Sequence, residues 1–176
     1  MRNAIYIAIV SLLVSLSSVA FESKYVFKKL NNENGLTYNT VNDILQEPSG
    51  IMWFATKQGL NRYDSYRIKK YYKEDEIGIP SNFFTCLLIS SENQLYAGTD
   101  QGLIVYNRRY DNFSPVLFED KSLPGIVTLS ESKSGVILIG TEQGIFAHYP
   151  KQNKVIKFIS LRMNIFTQSS RLKAIS

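Results

Sequence analysis

The sequence predicts an all-β fold of the β-propeller type, with about three four-stranded antiparallel blades and the start of a fourth, which is a partial and open propeller. One six-residue pattern occurs three times, as "ATKQGL" at 55–60, "GTDQGL" at 98–103 and "GTEQGI" at 140–145. Its glycines, Gly59, Gly102 and Gly144, are separated by 43 and then 42 residues. A period of this length is typical of propellers and other repeat folds. Each period also holds four short strand-like runs, and no helical periodicity follows residue 21.

The first twenty residues have the layout of a secretory signal peptide. Arg2 precedes an apolar run at 4–14, and the small residues Ser18-Val19-Ala20 suit cleavage after Ala20. An uncleaved membrane anchor is the alternative, although the run is about half of the roughly 20 residues that span a bilayer. Residues 21–34 are expected to form a lead-in strand before the repeats.

The repeats are assigned to residues 35–77, 78–121 and 122–164, with the start of a fourth at 165–176. In the first repeat, the strand-like runs are "VNDILQE", "IMWFATK", "LNRYD" and "YRIKKYY". The turn residues Gly50, Asn93 and Gly135 occupy one repeat position, and all three types tolerate the left-handed backbone of tight hairpins. The chain reaches a fourth unit at Ile175, fewer than the roughly four to eight blades that close a propeller. We therefore expect the amino-terminal part of a longer protein or the product of a truncated gene.

The second strand of each repeat indicates how the sheets pack. It reads "MWFAT", "LYAGT" and "ILIGT", apolar at odd and even positions alike, which predicts burial of both faces. Stacked blades provide this burial, whereas a two-sheet sandwich, the alternative, does not explain the period. Ala55, Gly98 and Gly140 precede the threonine, where adjacent sheets are expected to approach closely. Trp53 is predicted to be a core aromatic residue.

Composition weakens several classes of function. The net charge is +5, but the basic residues occur as singles and pairs, so no nucleic-acid partner is expected for this segment. Cys86, the one cysteine, excludes an intrachain disulfide and lies in "FFTCLLI", which favours a buried inert thiol. His148, the one histidine, takes the repeat position of Tyr63 and Tyr106, so a packed ring is expected. No catalytic residue, metal site or cofactor is predicted.

The first repeat, "GLTYNTVNDILQEPSGIMWFATKQGLNRYD", resembles the two-component regulator propeller repeat, whose usual form is close to "GLSSNxVxxIxxDxxGxLWxGTxxGLxxYD". The second and third repeats keep the Gly-Thr and the later glycine but have Tyr96 and Leu138 in place of the tryptophan. The resemblance covers residues 30 to 160. Its structural motif consists of Trp53, Thr56, Gly59, Gly98, Thr99, Gly102, Gly140, Thr141 and Gly144.

The resemblance implies a periplasmic, ligand-sensing input domain of a membrane-bound signalling protein. In that family the output domain is commonly a histidine kinase or a diguanylate cyclase, and the resemblance implies a homodimeric parent anchored in the inner membrane. None of those output parts occurs in this sequence, so the chain itself is expected not to be an enzyme. The alternative is an exported propeller enzyme, a lyase or hydrolase that acts on carbohydrate or small molecules.

Strand order predicts where a ligand would bind. The turn after each second strand and the connection into the next blade lie at the same edge of the sheets, where loops collect binding residues. Polar side chains there suit a hydroxyl-rich ligand such as an oligosaccharide, the class that the resemblance also suggests. In the alternative interpretation, the Gln-Gly pairs only satisfy backbone groups at a turn. The candidate ligand-binding residues are Tyr38, Lys57, Gln58, Asp100, Gln101, Glu142 and Gln143.

Overall fold

The computed structural model describes Phe27 and residues 29–160. The predicted signal peptide and the start of the fourth repeat lie outside the described residues. Within them the chain forms three antiparallel sheets, taken in sequence order, that do not close into a ring. Within residues 29–160 the structure has no helix long and apolar enough to cross a membrane.

Each repeat forms one sheet, in which consecutive strands are neighbours. The all-β propeller-type prediction is therefore confirmed. Sheet 1 contains β1 Val41–Gln46, β2 Met52–Thr56, β3 Gly59–Tyr63 and β4 Ile68–Tyr71. Sheet 2 contains β5 Phe84–Ile89, β6 Leu95–Thr99, β7 Gly102–Asn107, β8 Asn112–Phe118 and β9 Lys121–Ser122. Sheet 3 contains β10 Ile126–Glu131, β11 Ile137–Thr141, β12 Gly144–Tyr149 and β13 Lys154–Ser160.

Sheet 2 differs from the prediction because it has a fifth strand. The two-residue β9 pairs with the end of β8 after a turn in which Glu119 and Asp120 both have positive φ, at 50° and 60°. The described part of the predicted lead-in strand is also different. It contains a 3₁₀ turn at Asn32–Asn34, because the Asn31 side chain accepts from the Asn34 backbone N–H and caps it.

The register is the same in all three sheets. The threonine that ends the second strand pairs with the glycine that begins the third, as in Thr99 and Gly102. The first strand carries a bulge in every sheet, between Val41 and Asp43 in sheet 1 and at the same repeat position in the others. Positions counted from this threonine and glycine are therefore structurally equivalent.

The predicted burial of the second strand holds in two sheets and fails in the third. Four of the five residues of β2 and all five of β6 are buried. In β11 the pattern alternates, and Leu138, at the repeat position of Trp53, is 40% exposed. Sheets 1 and 2 each have a following sheet that covers them, and no described sheet follows sheet 3.

Adjacent sheets approach closely at the small residue before the threonine, as the sequence predicted. A Cβ added at Gly98 would lie 2.7 Å from the Cys86 sulfur and 2.8 Å from a methyl carbon of Ile126, in sheet 3. Polar contacts also join the sheets, since the Leu87 N–H donates to a carboxylate oxygen of Asp43 at 2.7 Å. The inner strands β1, β5 and β10 therefore form a continuous contact through the described structure.

The first interface, between sheets 1 and 2, is built around rings and one ion pair. Trp53 is fully buried and packs against Tyr71 and Tyr106, with ring centroids 5.7 Å and 5.0 Å away, which confirms its predicted core role. The Arg108 guanidinium donates to both oxygens of the Glu47 carboxylate at 2.8 Å. The indole N–H of Trp53 donates to the same carboxylate at 2.5 Å.

The second interface, between sheets 2 and 3, contains the one cysteine and the one histidine. Cys86 is buried, and burial raises the pKa of its thiol to about 11, so the thiol is protonated at neutral pH. His148 is 5% exposed, and its ring centroid lies 5.9 Å from that of Tyr96. Both residues are packed side chains, as predicted.

Candidate binding face

The turns that follow the second strands lie at one edge of the sheets, here named the turn edge, together with the connections between sheets. The Gly59 N–H donates to the Asn82 carbonyl oxygen at 2.8 Å, which ties the β2–β3 turn to the connection that enters sheet 2. The Asp100 N–H donates to the Phe83 carbonyl oxygen at 3.2 Å. The structure therefore brings together the two kinds of loop that strand order had placed at one edge.

Each of these turns is closed by its threonine. In the first, the Thr56 hydroxyl donates to the Gly59 carbonyl oxygen at 2.8 Å and accepts from the Gln58 N–H at 3.1 Å. Thr99 and Thr141 make the same pair of bonds. The three glycines all have φ between 132° and 136°, a region that L-residues rarely adopt. One backbone geometry therefore recurs three times.

The backbone geometry that the three turns share leaves the glutamine side chains outside the turn. The backbone of Gln58, Gln101 and Gln143, and not the side-chain amide, is what bonds to the threonine. All three glutamines are exposed, and in the described part of the chain their amides have no hydrogen bond. The threonine hydroxyl and the backbone of the Gln-Gly pair therefore close each turn, and the glutamine amides take no part in it.

The variable position of the turn presents a different charged side chain in each sheet. Lys57, Asp100 and Glu142 are all exposed, and no ion pair or hydrogen bond joins them to one another among the described residues. The ammonium of Lys57 lies 5.9 Å from the centroid of the Phe83 ring, which belongs to the connection into sheet 2. The turn edge thus combines one positive and two negative side chains with an exposed ring.

Tyr38 is positioned beside the first turn through its neighbour Thr37. The hydroxyl oxygens of Thr37 and Thr56 are 2.8 Å apart, and the Thr37 N–H donates to the buried side chain of Asn61 at 2.8 Å. Tyr38 itself is 36% exposed. The backbone next to Tyr38 is therefore anchored to the first turn.

Sequence reasoning missed two residues of this edge as candidates for binding. Asn82 fixes the connection, because its side chain accepts from the Lys73 N–H at 2.7 Å and donates to the Glu74 carboxylate at 2.9 Å. Hydrogen bonding from Asn82 lowers the pKa of Glu74. Phe83 is an exposed ring at the same edge, and the signal for it was the doubled "FF" at the start of a strand with one buried face.

Comparison with known proteins agrees with this description. The chain is 28% identical to the extracellular domain of BT3049 from B. thetaiotaomicron, assigned as a hybrid two-component system, with a TM-score of 0.67 over 76% of this chain and 20% of that one. A second extracellular domain, that of BT4673 from the same organism, has a TM-score of 0.63 at 21% identity, over 70% of this chain and 17% of that one. The chain thus spans about one fifth of the length of these domains.

Sequence comparison points the same way. A segment of 77 residues, 43% of this chain, is 34% identical to "Histidine kinase P4" of Formosa agariphila, of which it covers 6%. Virginiamycin B lyase from Staphylococcus aureus shares the fold alone, with a TM-score of 0.54 at 16% identity over 77% of this chain and 46% of that one. No family model matches. The predicted resemblance is confirmed: in sequence and in fold the chain is similar to the propeller-like extracellular sensor domains of hybrid two-component systems.

Proposed function

We propose that the chain is a periplasmic ligand-sensing segment of a membrane-bound signalling protein, of the histidine kinase or diguanylate cyclase type. Similarity to the extracellular domains of hybrid two-component systems and to a histidine kinase supports a sensor role. The parent would carry the catalytic output in a domain that this sequence does not include, and it would act as a homodimer anchored in the inner membrane. In this proposal the described sheets bind and do not catalyse.

The observation that carries the proposal is the repeated turn. Three identical backbone turns hold three different charged side chains at one edge, each followed by an exposed glutamine amide. Rigid geometry with variable side chains is the usual arrangement of a binding surface on a repeat scaffold. Amides, carboxylates and exposed rings together suit a hydroxyl-rich ligand such as an oligosaccharide.

Ligand binding at this edge would act on the angle between sheets. The first turn is bonded to the connection into sheet 2 through Gly59 and Asn82, and the second turn is bonded to Phe83 through Asp100. A ligand that bridges neighbouring turns therefore holds two sheets in one relative orientation. Binding then favours that orientation over others, and in the parent this difference would be coupled to the output domain.

Binding of neutral oligosaccharides to the full chain tests this proposal. We would titrate maltohexaose, cellohexaose and mannohexaose by calorimetry, with the double variant Asp100→Ala/Gln101→Ala and the control Lys133→Ala, whose position lies in the turn between β10 and β11 at the opposite edge. We expect one sugar to bind, the double variant to weaken it by about tenfold, roughly the loss of one or two hydrogen bonds, and the control to leave it unchanged. If the double variant binds the sugar with the same affinity as the natural chain, the proposed site is wrong.

Mass spectrometry of the same mixtures separates the sensor from the enzyme alternative. A sensor returns every oligosaccharide unaltered after prolonged incubation. Shortened or unsaturated products that accumulate with turnover would instead support an exported propeller lyase or hydrolase, and would refute the assignment of the chain as a binding segment.

A further inference from the structure

A cavity of about 490 Å³ lies between sheets 2 and 3, at the edge opposite the turn edge. Its lining includes Tyr96 and Ser90 from sheet 2, Glu131 and His148 from sheet 3, and Pro150 from the 3₁₀ turn that follows β12. Cavities of this volume accommodate small organic ligands. The proposed oligosaccharide surface does not include any of these residues.

The repeats show why a cavity exists here. Residues of different repeats correspond when they have the same position relative to the repeated threonine and glycine. At the positions that correspond to the cavity lining, the first interface has large side chains. The Glu47–Arg108 ion pair occupies two of these positions, and its equivalents in the second interface are Ser90 and Pro150. The second interface also has a smaller residue at the position of each ring and of the neighbouring lysine. The equivalent residues, first interface before second, are Trp53 and Tyr96, Tyr71 and Val116, Tyr106 and His148, Phe113 and Val155, and Lys69 and Ser114.

Two carboxylates of the cavity stand at positions where the first interface has uncharged residues. Glu131 stands where sheet 2 has Ile89, and Glu92 stands where sheet 1 has Ser49. Burial raises the pKa of the Tyr96 phenol, and the negative charges of Glu131 and Glu92 raise it further. Glu131 accepts from the N–H and hydroxyl of Ser91, both at 2.7 Å, and it has no cationic partner among the described residues.

The lysine in the lining pairs with only one of the two carboxylates. Lys151 pairs with Glu92 at 3.1 Å, but both side chains are largely exposed, at 84% and 62%. His148 does not contribute a charge at neutral pH, because burial lowers its pKa. Its Nδ1 is buried and has no hydrogen-bond partner in the described part of the chain. Within residues 29–160, a carboxylate without a cationic partner and an imidazole nitrogen without a hydrogen-bond partner therefore both line the cavity.

The first interface shows, within the same chain, the kind of cation that would fit the cavity. There the guanidinium of Arg108 lies 5.8 Å from the centroid of the Tyr106 ring and binds the Glu47 carboxylate. The second interface has rings at the equivalent positions, in Tyr96 and His148, and carboxylates nearby, but it has no arginine there. Rings and carboxylates together favour a cation with an apolar body.

We propose that the cavity between sheets 2 and 3 binds a small organic cation of the guanidinium or amine class. The cation would lie against the Tyr96 and His148 rings and pair with Glu131. This site is independent of the proposed oligosaccharide surface at the turn edge, so either can fail without the other.

The single histidine provides a direct assay. His148 supplies the one imidazole signal in a ¹H–¹³C spectrum of the untagged full chain. We would titrate L-argininamide and its neutral isostere L-citrullinamide, both acetylated at the α-nitrogen so that the guanidinium carries the only charge, with maltose as a sugar control. We expect saturable shifts of the His148 signal with L-argininamide, at a dissociation constant of about 1 mM for a ligand of this size. L-citrullinamide should bind about tenfold more weakly, because it lacks the charge, and maltose should not shift the signal.

Two variants test the mechanism. Ser90→Glu/Pro150→Arg rebuilds the ion pair of the first interface in the second, and should abolish binding by filling the cavity. Glu131→Gln should weaken L-argininamide by about fivefold, whereas Glu119→Gln, an equal charge change at the exposed β8–β9 turn, should not. If the double variant does not fold, Glu131→Gln decides the question by itself.

Four results would overturn the proposal. The first is equal affinity for the two amides, which would show that charge does not matter. The second is a shift of the His148 signal with maltose. The third is the absence of saturation below about 20 mM. The fourth is an unchanged affinity for L-argininamide in Glu131→Gln.

Discussion

Replacing Arg108 with methionine should strongly destabilise the chain, because it leaves a buried carboxylate without its cation. Glu47 is 4% exposed, and Arg108 supplies two hydrogen bonds of 2.8 Å to it. After the substitution, the Trp53 indole and the Ser49 hydroxyl remain as its donors, at 2.5 Å and 3.2 Å. Breaking one side of a buried ion pair costs about 3–5 kcal/mol.

The lower end of that range applies here. The Arg108 side chain is 37% exposed, so water already screens part of its charge. We therefore expect a loss of about 3 kcal/mol in the free energy of unfolding at pH 7. For a chain of this size the melting temperature would fall by about 6–12 °C. Glu47→Gln/Arg108→Met removes the unpaired charge as well, and should lie within about 1 kcal/mol of the natural chain.

The pH dependence gives a second test with a definite sign. Burial by itself would raise the pKa of Glu47, but Arg108, Trp53 and Ser49 together hold it below its usual value. The ionised group therefore stabilises the natural chain above about pH 4.3, and this contribution is lost as the pH falls through the lowered pKa. In Arg108→Met the largest of these opposing contributions is lost, so burial raises the pKa of Glu47 relative to the natural chain. The difference in the free energy of unfolding between the two proteins should therefore shrink between pH 7 and about pH 4.

Urea denaturation, followed by the fluorescence of Trp53, measures both effects. This residue is the one tryptophan, and it contacts the ion pair directly. A variant within about 0.5 kcal/mol of the natural chain at pH 7 would refute the reasoning, since surface ion pairs give such small values. A difference in the free energy of unfolding that grows on acidification would also refute the reasoning.

Four further predictions concern packing and the turn. Gly98→Ala should cost about 1–3 kcal/mol in the free energy of unfolding by urea, because its Cβ would meet Cys86 and Ile126, and the same substitution should cost less when made in Ile126→Ala. Thr99→Val should cost about 1–3 kcal/mol by the same measurement, whereas Thr99→Ser, which keeps the hydroxyl of the turn, should cost less. At pH 8 the Cys86 thiol, with its pKa near 11, should resist a disulfide reagent until urea unfolds the chain; rapid labelling of the folded chain would show that it is accessible. We expect the chain to self-associate through the open side of sheet 3, and Leu138→Lys should reduce this association in sedimentation, since Leu138 is exposed there; unchanged association would place the contact elsewhere.

The repeat period allowed the fold to be predicted because its markers are local. The hydroxyl of Thr99 bonds to Gly102, only three residues away, so the turn is visible as a short sequence pattern. Strand order then determined which loops share an edge. The fifth strand of sheet 2 was not predictable in this way, because its turn uses Glu119 and Asp120 at positive φ where glycine or asparagine would be the usual signal.

The interfaces between sheets were harder to predict because their contacts are distant in sequence. Glu47 and Arg108 are 61 residues apart, and each by itself looks like an ordinary charged turn residue. Equivalent positions could be compared only after the register of all three sheets was known. That comparison shows Ser90 and Pro150 at the positions where the first interface has its ion pair. This difference is present in the sequence, but it can be recognised only when the strand register is known.

The two interfaces should also differ in mechanical stiffness. Rings and a buried ion pair fill the first interface, so sliding or tilting sheet 1 against sheet 2 would break directional contacts. The second interface has smaller side chains and a cavity, and it resists such motion less. A twist applied to the described structure would therefore be absorbed between sheets 2 and 3, while sheets 1 and 2 turn as one rigid body.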